Sequence, residues 1–343
     1  MRFAHQAKRA ERVFEPGEDV ENSGPSHTGT RPVVLFVLGP QRSGTSAITR
    51  VLSLCGARLP TGMLGADVGN PRGNWEPRKV IAINESILRG QDSAWFDPSL
   101  RLQEDGSWKP DKRAAHVAKI VAYLRTLPTA PLVVIKDPRI TTLSDLWFEA
   151  SRLAGFDTAA VIAVRHPEEV ISSISASWGI PPELSSALWL KYNLLAERHT
   201  RGAPRVFVEY TNLLDNWRRE MKRISAALPA DLSTHDADAI DDFLTPDLRR
   251  QKNRGAVIDR FGTDWISTLY DAQCMAARDE CPDERTLNRV FESYRSSEKD
   301  FRSAAVGYDT LSSGARSRIF RPAVMELMME LVALVHRRRD TWA

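Results

Sequence analysis

Gly39-Pro40-Gln41-Arg42-Ser43-Gly44-Thr45-Ser46 closes the apolar run VVLFVL at residues 33–38 and leads into helical spacing over residues 45–55. A glycine-rich turn that takes a buried strand into a helix aims backbone N–H groups, and the positive end of the helix, at one point. That is an anion site. Gly39 and Gly44 permit the tight turn and close approach, while Ser43, Thr45 and Ser46 add hydroxyl donors. The order nearly matches the nucleotide-binding loop G-x-x-x-x-G-K-[ST], but Thr45 stands where the lysine belongs.

Outward from this loop the pattern repeats. Three more β-rich runs, LVVIK at 132–136, AAVIAV at 159–164 and RVFVEY at 205–210, are continuous and apolar, as in a sheet covered on both faces. Helical spacing lies between them at 78–88, 112–126, 143–154, 167–178 and 183–199, and again at 213–227. Alternating strands and helices imply right-handed crossovers. The expected fold class is therefore α/β: a three-layer, P-loop NTPase-like domain with a central parallel sheet over residues 31–230. A flexible lead-in at 1–30 precedes it and a mainly helical C-terminal part at 231–343 follows. Ligands of such sheets bind beyond the carboxyl ends of the strands. This rule singles out residues 39–46, 136–139, 165–167 and 210–212.

Composition sets the outer limits. The 343 residues are 42% hydrophobic and 27% charged, enough for a full core, and the formal charge of +3 suits a small anionic ligand, not a nucleic acid. The run at 33–38 is far shorter than the ~20 residues of a membrane helix, and the N-terminus has no apolar signal segment. A soluble, cytoplasmic protein without an integral membrane segment is expected. Cys55, Cys274 and Cys281 match neither a zinc site nor a disulfide framework, so reduced thiols and no metal are expected.

The missing lysine bears on the chemistry. Phosphoryl transfer from ATP uses a lysine and Mg²⁺, the metal held by a loop hydroxyl and usually an acidic residue. Here two strand ends carry Lys136-Asp137 and Arg165-His166. A sulfuryl group in transfer is less negative than a phosphoryl group, and side-chain cations with N–H donors can stabilise it.

With PQRSGTS, KDPR, VRHPEEVISSI and VEYTNLL in this order, the chain resembles the sulfotransferase superfamily over about residues 32–215, nearest to its bacterial and carbohydrate-type members. The resemblance implies 3′-phosphoadenosine 5′-phosphosulfate (PAPS) as donor and adenosine 3′,5′-diphosphate as product. It implies metal-free transfer to a hydroxyl, less readily an amine, of a glycan, lipid or small-molecule acceptor. It assigns the 5′-phosphosulfate to Arg42, Ser43, Gly44, Thr45 and Ser46, with Gln41 a departure inside the same loop, and makes Arg42 the essential cation. Arg165 and Ser173, with Ser172 as the alternative, match the family's 3′-phosphate pair. Lys136 matches a lysine beside the sulfuryl group. Tyr210 matches a tyrosine near the adenine, or is structural. Lys252 and Arg254 lie in a basic run that closes over the 3′-phosphate or is a solvated helix end.

No histidine falls between His27 and His116, so the carboxylate of Glu76 in NPRGNWEPRKV is the candidate base, or else it complements the next helix. His166 reads as structural. Residues 61–110 and the C-terminal helices would complete the acceptor site, where Trp75, Trp95, Phe96 and Trp108 form a cleft or belong to the core. Two other readings stand beside this one: an atypical P-loop kinase using ATP-Mg²⁺, and a non-catalytic binding protein on a P-loop scaffold. The sequence leaves the acceptor and the oligomeric state open.

Overall fold

All six residues of VVLFVL are buried, because strand β1 (Val33–Leu38) lies inside a sheet with helices on both faces. The computed structural model describes residues 31–229, 231–233, 236–245, 248, 255–298, 322–336 and 341. The expectations for residues 1–30, Lys252 and Arg254 lie outside that set. After β1 come α1 (Thr45–Leu54), β2 (Met63–Leu64), β3 (Glu76–Pro77), α2 (Arg78–Arg89), α3 (Pro110–Leu124) and β4 (Leu132–Lys136). Then follow α4 (Pro138–Thr142), α5 (Ser144–Leu153), β5 (Asp157–Val164), α6 (Pro167–Trp178), α7 (Pro182–His199) and β6 (Arg205–Glu209). Helices α8 (Tyr210–Asp215), α9 (Trp217–Ala227), α10 (Ala237–Phe243), α11 (Trp265–Ala276), α12 (Glu284–Ser296) and α13 (Pro322–His336) complete the described elements.

The main sheet is parallel, in the order β4-β1-β5-β6. Successive side chains on a strand face opposite ways. Val33, Leu35 and Val37 therefore pack with Ile48, Val51 and Leu52 of α1 and Met221 and Ile224 of α9. Val34, Phe36 and Leu38 pack with Val80, Ile83 and Ile87 of α2, Ile120 of α3 and Trp147 of α5. Burial of each such side chain is worth ~1.5–3 kcal/mol, so apolarity on both faces holds the three layers together. A separate core joins α6, α7, α11 and α12.

Helix α1 leaves β1 toward one face, while α5, following the neighbouring β4, lies on the other. The two connections therefore part to opposite faces above their strands, the place where ligands of such sheets bind.

Several expected boundaries shift for local reasons. The helix expected at 143–154 is present as Ser144–Leu153, and an additional short helix, started by Pro138 after β4, precedes it and ends at Leu143 (φ −111°, ψ 17°). The helix expected at 213–227 starts earlier, at Tyr210, and is interrupted at Asn216, whose side chain accepts from the Arg219 N–H and caps α9. Tyr210 thus opens a helix instead of ending β6. The hairpin of β2 and β3, pairing Met63 with Pro77 and Leu64 with Glu76, was not expected. Two-residue strands are too short to show a period. No helix among the described residues is long and apolar enough to cross a membrane.

Candidate functional site

The loop after β1 is held by its glycines and by its neighbours. Gly39 (φ 128°) donates its N–H to Thr141 Oγ1 at 3.1 Å. At Gly44 (φ 93°) an added Cβ would stand 2.3 Å from Cδ2 of Tyr210, so the aromatic ring covers the loop where only glycine fits. Gly44 occupies the N-cap of α1, and no side chain caps that helix among the described residues. An uncapped first turn at the positive end of a helix dipole is of the kind that accepts an anion. Arg42 adopts φ 67°, a left-handed conformation that costs roughly 1–2 kcal/mol for a non-glycine residue. Ser43 turns inward, its hydroxyl donating to Pro40 O at 2.6 Å, and Thr45 is buried. Gln41 keeps a buried Oε1 that no hydrogen bond satisfies among the described residues.

On one side of the loop, three of the expected site residues converge. Lys136, the last residue of β4, donates from Nζ to Glu76 Oε1 at 2.5 Å, to Asn74 O at 3.1 Å and to Ser46 Oγ at 3.2 Å. The Ser46 hydroxyl donates to Asn74 O at 3.1 Å and accepts from Asn70 Nδ2 at 3.1 Å. Lys136 and Glu76 are both largely shielded, at 3% and 12% side-chain exposure, so they form a nearly buried ion pair. Burial raises the Glu76 carboxyl above its ordinary value, and the attraction of Lys136 offsets only part of this. A carboxylate of raised pKa is a stronger base.

On the other side stands a second group. Arg42 Nε donates to Ser173 Oγ at 2.9 Å, and its Nη2 donates to Gly69 O at 3.2 Å. In this conformation the guanidinium reaches toward Ser173. Arg165 donates from Nη1 to Arg42 O at 2.8 Å and from Nε to Glu169 Oε2 at 2.8 Å, and it lies 4.7 Å from the centre of the Tyr210 ring. The nearly buried Glu169 offsets part of the Arg165 charge. Tyr210 donates its hydroxyl to Leu248 O at 3.1 Å.

The neighbouring residues hold this arrangement in place. Asp137 caps α4 by accepting from the Arg139 N–H, and it also accepts from Asn84 Nδ2 at 2.9 Å and from Arg139 Nη1 at 2.9 Å. Arg139 pairs in turn with Glu85. His166 caps α6, its Nδ1 accepting from the Glu168 N–H. Trp75 is a buried residue with φ 56°, stacked under Arg50, and so belongs to the packing of the hairpin. Trp95 lies in an aromatic group with Phe96 and Trp178, while Trp108 packs against the core of α2 and α3.

Sequence reasoning missed Asn70, Asn74 and Glu169. Asn70 and Asn74 are held by Asp67, which accepts from the Asn70 N–H and from Asn74 Nδ2 at 2.7 Å. The only trace in the sequence is a turn-rich run of Asp, Gly, Asn and Pro at residues 67–74. The signal that could have found Glu169 is its place four residues beyond Arg165 at a helix start.

Among solved structures, the chain is similar to the sulfotransferase domain from the Synechococcus PCC 7002 olefin synthase. The likeness covers 79% of this chain and 96% of that one at 19% identity, with a TM-score of 0.39. No family model matches the chain, and no curated protein matches it.

Proposed function

We propose that the protein is a sulfotransferase that moves the sulfuryl group of PAPS to an acceptor hydroxyl. The observation that carries this reading is the junction of Lys136, Glu76 and Ser46 at the mouth of an uncapped phosphate loop. A cation, a carboxylate and a helix N-terminus meet where the strand ends open.

The residues fit the donor in kind. The open N–H groups of α1, with Arg42, suit the 5′-phosphosulfate, and Arg165 with Ser173 suits the 3′-phosphate, a group that ATP lacks. In the transfer the acceptor oxygen bonds to sulfur as the bond from sulfur to the bridging oxygen breaks. The electron pair of that bond passes to the 5′-phosphate, and the acceptor proton passes to the Glu76 carboxylate. Lys136 and Arg42 are the cations available to the charge that grows on the leaving phosphate. We place the acceptor between the hairpin and the C-terminal part, so that residues 231–343 complete the site begun by residues 31–230.

Binding of adenosine 3′,5′-diphosphate tests the donor, and labelled sulfate transfer from PAPS across glycan, lipid and phenolic acceptors tests the reaction. The expected result is a thermal shift with the diphosphate exceeding that with ATP-Mg²⁺. A shift with ATP-Mg²⁺ alone would instead favour a kinase and overturn the proposal.

A further inference from the structure

Apolar residues left in water are unevenly distributed over this protein. Among the described residues ten large apolar side chains are exposed, and six of them, Val324, Leu327, Met328, Leu331, Val332 and Leu334, stand on α13 at 38–61% exposure. At 100° per residue these six fall within an arc of about 160° of the helix. The charged residues of the helix, Glu326 and Glu330, lie outside that arc. Ala333, on the opposite side, is buried. The helix therefore turns its apolar arc outward, the reverse of an ordinary surface helix.

Two contacts tie this element to the candidate site. Glu330 accepts from Arg78 Nε at 2.8 Å, and Arg78 lies two residues after Glu76. Thr341, beyond the end of α13, accepts from the Ala66 N–H at 3.1 Å. Two residues after Ala66 is Val68, the most exposed large apolar side chain of the described set at 99%. The outward face of α13 and the tip of the loop before Glu76 thus both offer apolar groups to the surroundings.

We propose that α13 lies in the interface of an anionic lipid bilayer, its outward apolar arc buried among the headgroups. The charge pattern decides for lipid: His336 ends the helix, and the sequence continues at once with Arg337, Arg338 and Arg339. Basic residues clustered just beyond an apolar arc add attraction to anionic lipid, while the Glu326 and Glu330 carboxylates lie on the side turned away from it. Docking here would bring the mouth of the site to the membrane surface, which favours a lipid-borne acceptor among the classes left open. That last step rests on the sulfotransferase reading; the docking itself does not.

Flotation of the full chain with vesicles, without donor, tests the docking. Vesicles of phosphatidylcholine with phosphatidylglycerol are expected to carry the protein, and phosphatidylcholine alone to carry much less. Leu327→Glu with Leu331→Glu should lower binding by ~10-fold or more. Replacing Arg337, Arg338 and Arg339 by Gln should weaken it and remove its sensitivity to salt. No flotation with the anionic vesicles, or unchanged flotation of the leucine variant, overturns the proposal. So does a dimer in solution that the leucine variant dissolves while vesicles bind nothing, since a second copy would then own the face. Adenosine 3′,5′-diphosphate binding, measured separately on the same samples, reports on the sulfotransferase reading, so either idea can fail without the other.

Discussion

The loop Gly39–Ser46 and the hairpin of β2 and β3 bring the two halves of the candidate site together, yet they are secured in different ways. The loop is fixed by groups at the ends of its own sheet: Thr141 under Gly39, Tyr210 over Gly44, and Arg165 on the carbonyl of Arg42. The hairpin is tied to residues far along the chain. Arg72 reaches Asp242 across 170 positions and Thr245 across 173, Ala66 meets Thr341 across 275, and Arg78 meets Glu330 across 252. A hairpin of two-residue strands is not stable alone. The anion cradle therefore follows from closing the sheet, whereas the position of Glu76 depends on distant contacts as well. Elements held this way open more readily than a core sheet.

The largest expected effect falls on the hairpin half. Glu76→Gln should lower kcat by ~10²–10⁴-fold, the usual contribution of a positioned base. The base must be ionised, so kcat/KM should rise with pH through a limb lying above the ordinary glutamate value of 4.5, because burial holds the proton on. In the Gln variant this limb should vanish. A pH–rate profile with the limb intact in Glu76→Gln would mean that the proton goes elsewhere.

On the loop half, Arg42→Ala should reduce kcat/KM by ~10²–10³-fold while the melting temperature stays close to that of the parent. Arg42→Gly sharpens the test, since glycine relieves the left-handed strain and should stabilise the fold by about 1 kcal/mol while losing the same activity. Parallel loss of fold and activity would mean that Arg42 serves structure alone. Gly44→Ala acts differently: the new Cβ must displace the Tyr210 ring, at a cost of about 1–3 kcal/mol in stability, and diphosphate binding should weaken with it. Calorimetric titration and thermal melts check this, and an unchanged affinity would remove the loop from the donor site.

This division also separates what could be read in the sequence from what could not. VVLFVL, the loop, Lys136 and the start of α6 at Pro167 were legible because each is local: a continuous apolar run, a glycine pair, a proline at a helix start. His166, read as structural from its place beside Arg165, caps the start of this helix. Asn70 and Asn74 were invisible, since their place beside Ser46 and Lys136 arises only when the hairpin folds over the loop. The short helix Pro138–Thr142 and the interruption at Asn216 were missed for a related reason. Five residues after a strand end are too few to show a helical period, and at Asn216 the helical spacing continues although the capping side chain shows that the backbone does not.

The smallest expected effect tests the tether between hairpin and tail. Arg78 is nearly buried while Glu330 is half exposed, so the ion pair is screened by solvent and Glu330→Ala should cost no more than about 1 kcal/mol in stability. Arg78 would keep its bond to Met63 O at 2.7 Å, and so the loop half should bind adenosine 3′,5′-diphosphate as before. The change should appear in the acceptor half, as a rise in KM for the acceptor with little change in donor affinity. An equal loss of donor and acceptor affinity would show that the two halves move as one body, and that the distant contacts of the hairpin support the phosphate loop too.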